Sequence, residues 1–107
     1  MFVTTGNSIE GWQVANYIGV IRGIVVRSPS ISQGFIGGLK QIVGGNIESY
    51  AAVCEAARQE AYDRMVQHAE GVGADAVIAM RYDATEFGPG VTEVLAYGTA
   101  VSLARVD

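Results

Sequence analysis

The end of the chain constrains its fold most strongly, because two apolar segments follow directly after one long helical pattern. The segments are "GADAVIAMRYD" (Gly73 to Asp83) and "VTEVLAYGTAVSL" (Val91 to Leu103), and a Gly-Pro-Gly loop joins them. Odd-numbered residues of the second segment share one face of a strand, even-numbered residues share the other, and neither face is strongly polar. A strand that is apolar on both sides is usually central and covered twice. The pattern therefore predicts a two-layer α+β domain whose last strand lies inside the sheet, with an assembly supplying the second cover.

Two further strands are predicted in the first quarter of the chain. Met1 to Thr5 forms a short β-prone run that Gly6-Asn7-Ser8 ends as a turn. Trp12 to Val26 is rich in β-branched and aromatic residues and predicts one long strand, although its alternation is imperfect. Gly19 and Gly23 indicate a bulge, a bend or a close approach of backbone within this strand.

One long helix is predicted from Ile47 to about Glu70, with Asn46 as its N-cap and Gly71 and Gly73 at its end. Tyr62 and Val66 lie beside its apolar stripe and are interpreted as exposed residues or as part of a subunit contact. The glycine-rich stretch from Ser28 to Gly45 could include a brief helix. The stripe that we expect to pack on the sheet comprises Ile47, Tyr50, Cys54, Ala57, Ala61, Met65, His68 and Val72.

The composition limits the class of protein and its partners. At 107 residues the chain is one domain, residues 1–107, and 50% apolar residues against 17% charged ones favour self-association. The net charge of −4, with no basic stripe, argues against nucleic acid. Without a signal segment or a membrane-length apolar run, we expect a cytoplasmic protein that does not enter a membrane. The single cysteine, Cys54, cannot form an internal disulfide and is interpreted as a small buried hydrophobe.

Several motifs together resemble the YbjQ family of small bacterial proteins, which are described as heavy-metal-binding. The resemblance runs nearly end to end and implies a β-α-β-β subunit of the dodecin-like type with an antiparallel sheet, assembled as a pentameric ring in which extra short strands help the subunits join. In that topology the last strand lies between the long strand and the strand after the helix. The motifs are "TTGNSIEGW" (Thr4 to Trp12), "YIGVIRGIVV" (Tyr17 to Val26), "IVGG" (Ile42 to Gly45), "GADAVIAMRYD" and "EVLAYGTAV" (Glu93 to Val101).

The chemical signals in the chain are few. A heavy-metal site needs three or four converging thiolate, imidazole or carboxylate ligands, but Cys54 and His68 lie about 21 Å apart on a continuous helix. Within one subunit they cannot share a metal ion, although ring symmetry could still gather one His or one Glu from each subunit around an axis. The same distance excludes them as a nucleophile and its base, and His68 is interpreted as a hydrogen-bonded core or interface residue. Backbone amides near Gly44 and Gly45 could hold an anion, although turns and tight packing also explain these glycines.

Three acidic residues near the final hairpin offer a further alternative. Asp83, Glu86 and Glu93 could form a cation site or an acid-base pair if the strand register brings them together, or they could be solvated or interface charges. The polar residues within the family-like motifs have no assigned role, because strand register or subunit contacts could account for them. They are Thr4, Thr5, Glu10, Tyr97 and Thr99.

We therefore expect a homo-oligomeric, pentameric protein that binds a small ligand or an ion, or acts as a scaffold for a protein partner, without catalysis. No cofactor is evident, and a metal ion is left open. The alternatives are a heavy-metal carrier or buffer, and an enzyme with carboxylates at a subunit interface. The candidate ligand or interface residues are Thr4, Thr5, Glu10, His68, Asp83, Glu93, Tyr97 and Thr99.

Overall fold

The computed structural model describes residues 1–27, 47–88 and 91–106, with the backbone alone for residues 47–51, 87 and 88. The predicted N-cap Asn46, the amides at Gly44 and Gly45 and the brief helix between Ser28 and Gly45 lie outside the described residues. The chain forms β1 (Phe2–Val3), β2 (Trp12–Arg27), α1 (Ile47–Gly71), β3 (Ala76–Gly88) and β4 (Val91–Arg105). No helix within the described ranges has the length and apolar character that a membrane crossing requires.

The strands form one four-stranded sheet in the order β1-β3-β4-β2, and α1 packs on one of its faces. Strand β4 lies inside the sheet and pairs antiparallel with both β2 and β3, so the predicted central position of the last strand is confirmed. The predicted all-antiparallel sheet is wrong, because β1 runs parallel to β3 and makes the sheet mixed. A two-residue strand carries no sequence signal for its direction, which here depends on pairing with β3.

Strand β2 is long enough to account for the length of the molecule. Its 16 residues span about 53 Å at the usual rise of a strand, and the described residues extend over 57 × 24 × 19 Å. Register shifts occur between Val14 and Asn16 and between Tyr17 and Gly19, where Gly19 has φ 152°. The predicted irregularity at Gly19 is confirmed.

Gly23 has a different role, since its register with Ala96 is regular. A Cβ atom at Gly23 would overlap the Ala61 carbonyl oxygen and the Met65 amide nitrogen of α1. Glycine is therefore required here because the helix backbone lies directly against the strand.

The helix buries a line of residues spaced four apart. Ala57, Ala61 and Met65 are buried as predicted, and Ala69 is the next residue on this line. Cys54, His68 and Val72 are exposed, which corrects their predicted place on the packed stripe, and the side chains of Ile47 and Tyr50 lie outside the described part of the chain. The buried line follows an i, i+4 ridge that winds slowly around the helix, so the positions three residues from Ala57 and Met65 turn away from the sheet.

The border of this interface also differs from the sequence prediction. Tyr62 and Val66 are half-buried and pack against the core. Their interpretation as exposed residues is wrong, because the winding ridge brings this side of the helix onto the sheet, and the alternative of a subunit contact stays a prediction. The core beneath the helix comprises Ile21, Val25, Ala61, Met65, Ala69, Val77, Met80, Ala96 and Ala100.

A second, smaller core lies at one end of the opposite face. Ala76, Ile78 and Val101 are buried there, and Ile9 from the loop before β2 packs against them. The rest of that face is not covered by any element among the described residues, and it is called the helix-free face below.

Candidate functional site: the helix-free face of the sheet

The helix-free face is defined by the residues that pair across β2, β4 and β3 on the side away from α1. Tyr17 and Val20 are each 72% exposed, although both are large apolar residues inside strands. Folded monomers seldom leave such residues together on one open surface. The face comprises Tyr17, Val20, Arg22, Ile24 and Val26 of β2, Glu93, Leu95, Tyr97 and Thr99 of β4, and Arg81, Asp83 and Thr85 of β3.

A row of three residues crosses the middle of this face. Arg22 of β2 and Arg81 of β3 both pair with Tyr97 of β4, so an arginine lies on each side of one exposed tyrosine in the strand register. Arg81 is held in place because its Nη1 donates to the carbonyl oxygens of Thr5 and Met80, each at 2.8 Å. Thr99, from the predicted set, is half-buried in the next row between Val20 and Ile78.

The acidic residues of the final hairpin do not converge into one cluster. Asp83 pairs with Leu95, and Glu93 pairs with Thr85, so the two carboxylates are diagonal neighbours about 7–8 Å apart between backbones. Asp83 Oδ1 accepts the Ala84 amide at 2.9 Å. The third acid, Glu86, pairs with Thr92 and so belongs to the opposite face of the sheet. The register therefore does not set Asp83 directly against Glu93.

His68 lies at the edge of the sheet beside β2. Its Nδ1 is 3.2 Å from the Arg22 amide, which donates to it, and Arg64 Nη1 donates to the Ile24 carbonyl oxygen at 2.6 Å. These two helix side chains pair with backbone groups that an edge strand would otherwise leave open. The predicted hydrogen bonding of His68 is confirmed, although its partner is a backbone amide at an exposed edge.

Thr4 and Thr5 shape the backbone next to the face. The Thr4 amide donates to the Val77 carbonyl oxygen at 3.0 Å, and its own carbonyl oxygen accepts the Met80 amide at 3.0 Å. Between these contacts Ala79 has φ 53°, a left-handed conformation that is rare for alanine, at a bulge of β3. Both threonines therefore position β3 and Arg81. Glu10 is exposed in the turn before β2.

The donors that the structure describes in a single chain do not fit a heavy-metal ion. Among the described side chains, of residues 1–27, 52–86 and 91–106, no three His, Cys, Asp or Glu come together as a ligand set. The intervening sequence from Ser28 to Asn46 contains none of these four residue types. Helix α1 is continuous between Cys54 and His68, which keeps these two side chains about 21 Å apart.

Sequence reasoning missed the arginines of the central row, Arg22 and Arg81. In the sequence, Val20, Arg22 and Ile24 alternate along one face of a strand, so a charged residue lies between two apolar ones. Such a pattern indicates a surface that binds a partner through both apolar contacts and charge. The position of Arg81 could not be found this way, because the bulge at Ala79 shifts the register of β3.

Comparisons with known proteins identify the family of this chain. A family model described as "putative heavy-metal-binding", YbjQ, matches residues 1–104. A UPF0145 protein from Legionella pneumophila (strain Corby) is 58% identical over 101 residues, which cover 94% of this chain and 96% of the relative. A UPF0145 protein from Chromobacterium violaceum is 56% identical over 101 residues, covering 94% of this chain and 86% of the relative.

A solved structure shows the same fold at low sequence identity. It is a protein of unknown function from Pediococcus pentosaceus that belongs to the DUF74 family, with a TM-score of 0.62 and 18% identity. The match covers 97% of this chain and 98% of that one. With the family model extending over 104 of 107 residues and relatives above 50% identity, the chain belongs to the YbjQ family, whose close relatives are named UPF0145 proteins.

Proposed function

We propose that the protein is a homo-oligomeric ligand- or ion-binding or scaffold protein that assembles through the helix-free face and carries out no catalysis. The observation that carries this proposal is the exposed apolar strip on β2 and β4. Tyr17 and Val20 are 72% exposed, and Ile24, Val26 and Tyr97 are each more than a third exposed on the same face. Burying such side chains against a partner is favourable by about 25 cal/mol per Å² of apolar surface removed from water, which offsets the entropy lost on association.

The charges around the strip favour a second copy of the chain as the partner. Arg22 and Arg81 form a basic row, while Asp83 and Glu93 lie one and two rows further along the same strands. Two copies can therefore meet with the basic row of one against the acidic residues of the other. Opposite charges arranged in this way fix the register of an interface.

The shape of the chain also supports assembly. Its radius of gyration is 16.8 Å, compared with about 13 Å for a compact chain of this length. A long, thin protomer has a large surface, and association reduces it. We take a dodecin-like ring of five subunits as the expected assembly, following the family resemblance, and place the protein in the cytoplasm.

The absence of catalysis is part of the proposal and rests on geometry. His68 lies at the edge of β2, whereas Asp83 and Glu93 lie on the helix-free face and pair with different residues. A nucleophile, a base and a group that orients the base must lie within hydrogen-bonding reach of one another. The candidate groups of one protomer do not meet that requirement.

Native mass spectrometry with matched variants tests the assembly. The wild-type protein is expected to appear as a pentamer, and Val20→Lys should shift it to smaller species because it buries a charge in the strip. Val72→Lys is the control, since Val72 is 41% exposed but follows α1, away from the face. A monomeric wild type, or a Val20→Lys variant with an unchanged subunit number, contradicts the proposal.

A heavy-metal carrier is the second candidate, because the family model carries that description. A ring could gather one donor from each subunit, which a single chain cannot do. The test is zinc and copper titration of protein prepared without chelator or metal-affinity tag, comparing the wild type with His68→Gln and Cys54→Ser. Stoichiometric binding that either variant abolishes supports a carrier, and failure to bind argues against it.

A further inference from the structure

A cavity of about 450 Å³ opens at the corner where β1 and β2 begin and β4 ends. Met1 and Phe2, Trp12, Asp75 and Leu103 line it, so residues at the ends of all four strands meet there. Its volume lies within the range of small-molecule sites, which are mostly apolar and hold a few fixed polar groups. This corner lies beyond the exposed apolar strip and contains none of the residues predicted from the sequence as a site.

The aromatic wall of the cavity is held in place from two sides. The rings of Phe2 and Trp12 lie 6.2 Å apart between centroids at an interplanar angle of 51°. The guanidinium of Arg105 lies over the Trp12 ring at 5.4 Å, a cation–π contact. Phe2 remains 50% exposed even so, which leaves a large apolar surface available to a ligand.

Asp75 supplies a fixed carboxylate beside this wall. Its amide donates to the Val101 carbonyl oxygen at 2.9 Å, and its Oδ2 accepts the Leu103 amide at 2.9 Å. Both the backbone and the carboxylate are therefore anchored to β4. No cationic side chain within the described ranges forms an ion pair with Asp75, and Oδ1 accepts no hydrogen bond from those residues.

We propose that this cavity binds a small organic cation with a flat apolar body, of the arylalkylamine class. The body packs against Phe2, Trp12 and Leu103, and the ammonium donates to Asp75 Oδ1. The charge of the ligand follows from Asp75, the one charged side chain that lines the cavity, because the Arg105 guanidinium at the wall is engaged on the Trp12 ring. A hydrogen bond between two charged groups is about twice as strong as a neutral one, so an amine is preferred over a neutral or acidic analogue. The inference rests on the ligand-binding part of the proposed function and names its ligand class, but it does not require assembly.

The chain contains its own reporter for this site. Trp12 is the single tryptophan, so its fluorescence reports directly on the occupancy of the cavity. The probes are 2-phenylethylamine, 2-phenylethanol and 3-phenylpropionate, which share an aryl body and differ in the charge of the end group. We expect a saturable fluorescence change with the amine, and affinities at least about tenfold lower for the alcohol and the acid.

Two carboxamide variants isolate the role of the charge. Asp75→Asn keeps an oxygen for the Leu103 amide and removes the charge, so amine affinity should fall about tenfold while binding of the alcohol stays the same. Asp63→Asn is the matched control, because Asp63 Oδ1 also accepts a single hydrogen bond, from Gln59 Nε2 at 2.9 Å, but lies on α1 and does not line the cavity. Phe2→Ala should weaken all three probes, since it removes part of the shared apolar wall.

Any one of three results would overturn the proposal. The first is the absence of a saturable fluorescence change with the amine at millimolar concentration. The others are equal affinities for amine and acid, and an unchanged amine affinity in a folded Asp75→Asn protein. Titrating the wild type alongside its native mass spectrum separates the two proposals. Amine binding by a monomeric wild-type protein leaves the cavity proposal standing while the assembly proposal fails, and a wild-type pentamer that does not bind the amine gives the reverse.

Discussion

Strand β2 presents the same kinds of residue to two very different environments. On the helix side, Ile21 is 2% exposed and Val25 is fully buried, whereas on the other side Val20 is 72% and Ile24 36% exposed. Valine and isoleucine occur on both faces, so composition does not decide which face the chain covers. Helix α1 covers one face of the sheet. No element in the described part of the chain covers the helix-free face, although its apolar residues are of the kind that fills an interior.

The two faces also differ in how closely a helix or another molecule can pack against the sheet. The helix side uses small residues where strand and helix meet, with Gly23 under Ala61 and with Ala96 and Ala100 fully buried beside them. Interiors are packed as densely as organic crystals, so this contact tolerates little added volume. The helix-free side has Tyr17, Tyr97 and two arginines, whose long side chains suit a surface that another molecule covers.

The largest expected effect comes from adding volume beneath the helix. Gly23→Ala would place a methyl group on the Ala61 carbonyl oxygen, so the helix or the strand must move. We expect the free energy of unfolding to fall by about 3 kcal/mol, at the upper end for overpacked sites. Urea denaturation measures the change.

The control for this variant is Gly71→Ala at the end of α1, where an added Cβ meets nothing within 4 Å. Its stability should remain within about 0.5 kcal/mol of the wild type. Equal urea midpoints for Gly23→Ala and Gly71→Ala would show that the helix does not lie as close to β2 as the structure places it.

A matched pair of valine truncations compares the two faces directly. Val25→Ala should lower the free energy of unfolding by about 2 kcal/mol at every protein concentration, because it leaves a cavity in the core of the chain. Val20→Ala should cost less than about 0.5 kcal/mol in dilute protein, and more as the concentration rises and the face becomes covered. Thermal unfolding over a range of protein concentrations measures both.

A concentration-independent loss for Val20→Ala as large as that for Val25→Ala would mean that Val20 belongs to the core of a single chain. A loss that stays small at all concentrations would mean that no second copy covers it. Either result would contradict part of the comparison between the two faces.

An ion-pair network at the edge of β2 should contribute less to the free energy of unfolding than the buried core residues do. Glu60 bridges Arg64, at 2.9 Å, and Arg27, and Arg64 also donates to the Ile24 carbonyl oxygen. These side chains are partly exposed, and solvent screens such pairs, so Glu60→Gln should cost about 0.5–1 kcal/mol.

Salt separates the ionic part of this cost. The difference between Glu60→Gln and the wild type should shrink when unfolding is measured at about 500 mM rather than about 20 mM salt. Glu70→Gln, an exposed position on the same helix, is the control. A cost that salt does not change would indicate that Glu60 acts through packing.

Much of the fold could be predicted from local pattern. The bounds of α1 and β2 agree with the predictions to within one residue, because helical periodicity and runs of β-branched residues persist over 16 to 25 positions. The central place of β4 followed from its two apolar faces. What failed was long-range geometry, since the direction of β1 depends on β3 and the exposure of Cys54 depends on how α1 crosses the sheet.

The candidate site was less predictable for the same reason. Tyr97 and Thr99 could be assigned to one face by alternation along β4, but the partners of Tyr97 depend on the bulge at Ala79 in another strand. The cavity at Asp75 depends on four strand ends meeting. These contacts join residues that are far apart in the sequence, so no residue spacing within a single segment predicts them.

The smallest predicted effect concerns Tyr82, which pairs with Ala96 on the helix-covered face and is 43% exposed. Burial, followed by the nearby Tyr62 and Glu55, raises the pKa of Tyr82 above its ordinary value of 10.0, and the Arg58 guanidinium at 5.9 Å from the ring partly offsets this. The neutral phenol is thus favoured by folding. Its contribution to stability is complete below pH 10 and is lost as the pH rises through the folded-state pKa, since the unfolded chain ionises first.

Phenolate absorbance can isolate this group. The difference between the titrations of the wild type and Tyr82→Phe should give a single-group curve with a midpoint above 10.0, and Glu55→Gln should move that midpoint downward by removing one of the charges that raises it. A midpoint at or below 10.0 would mean that α1 does not bring Tyr62 and Glu55 close to β3. The two faces of the sheet would then differ less than the structure indicates, because the helix would cover less of the sheet than its buried alanines imply.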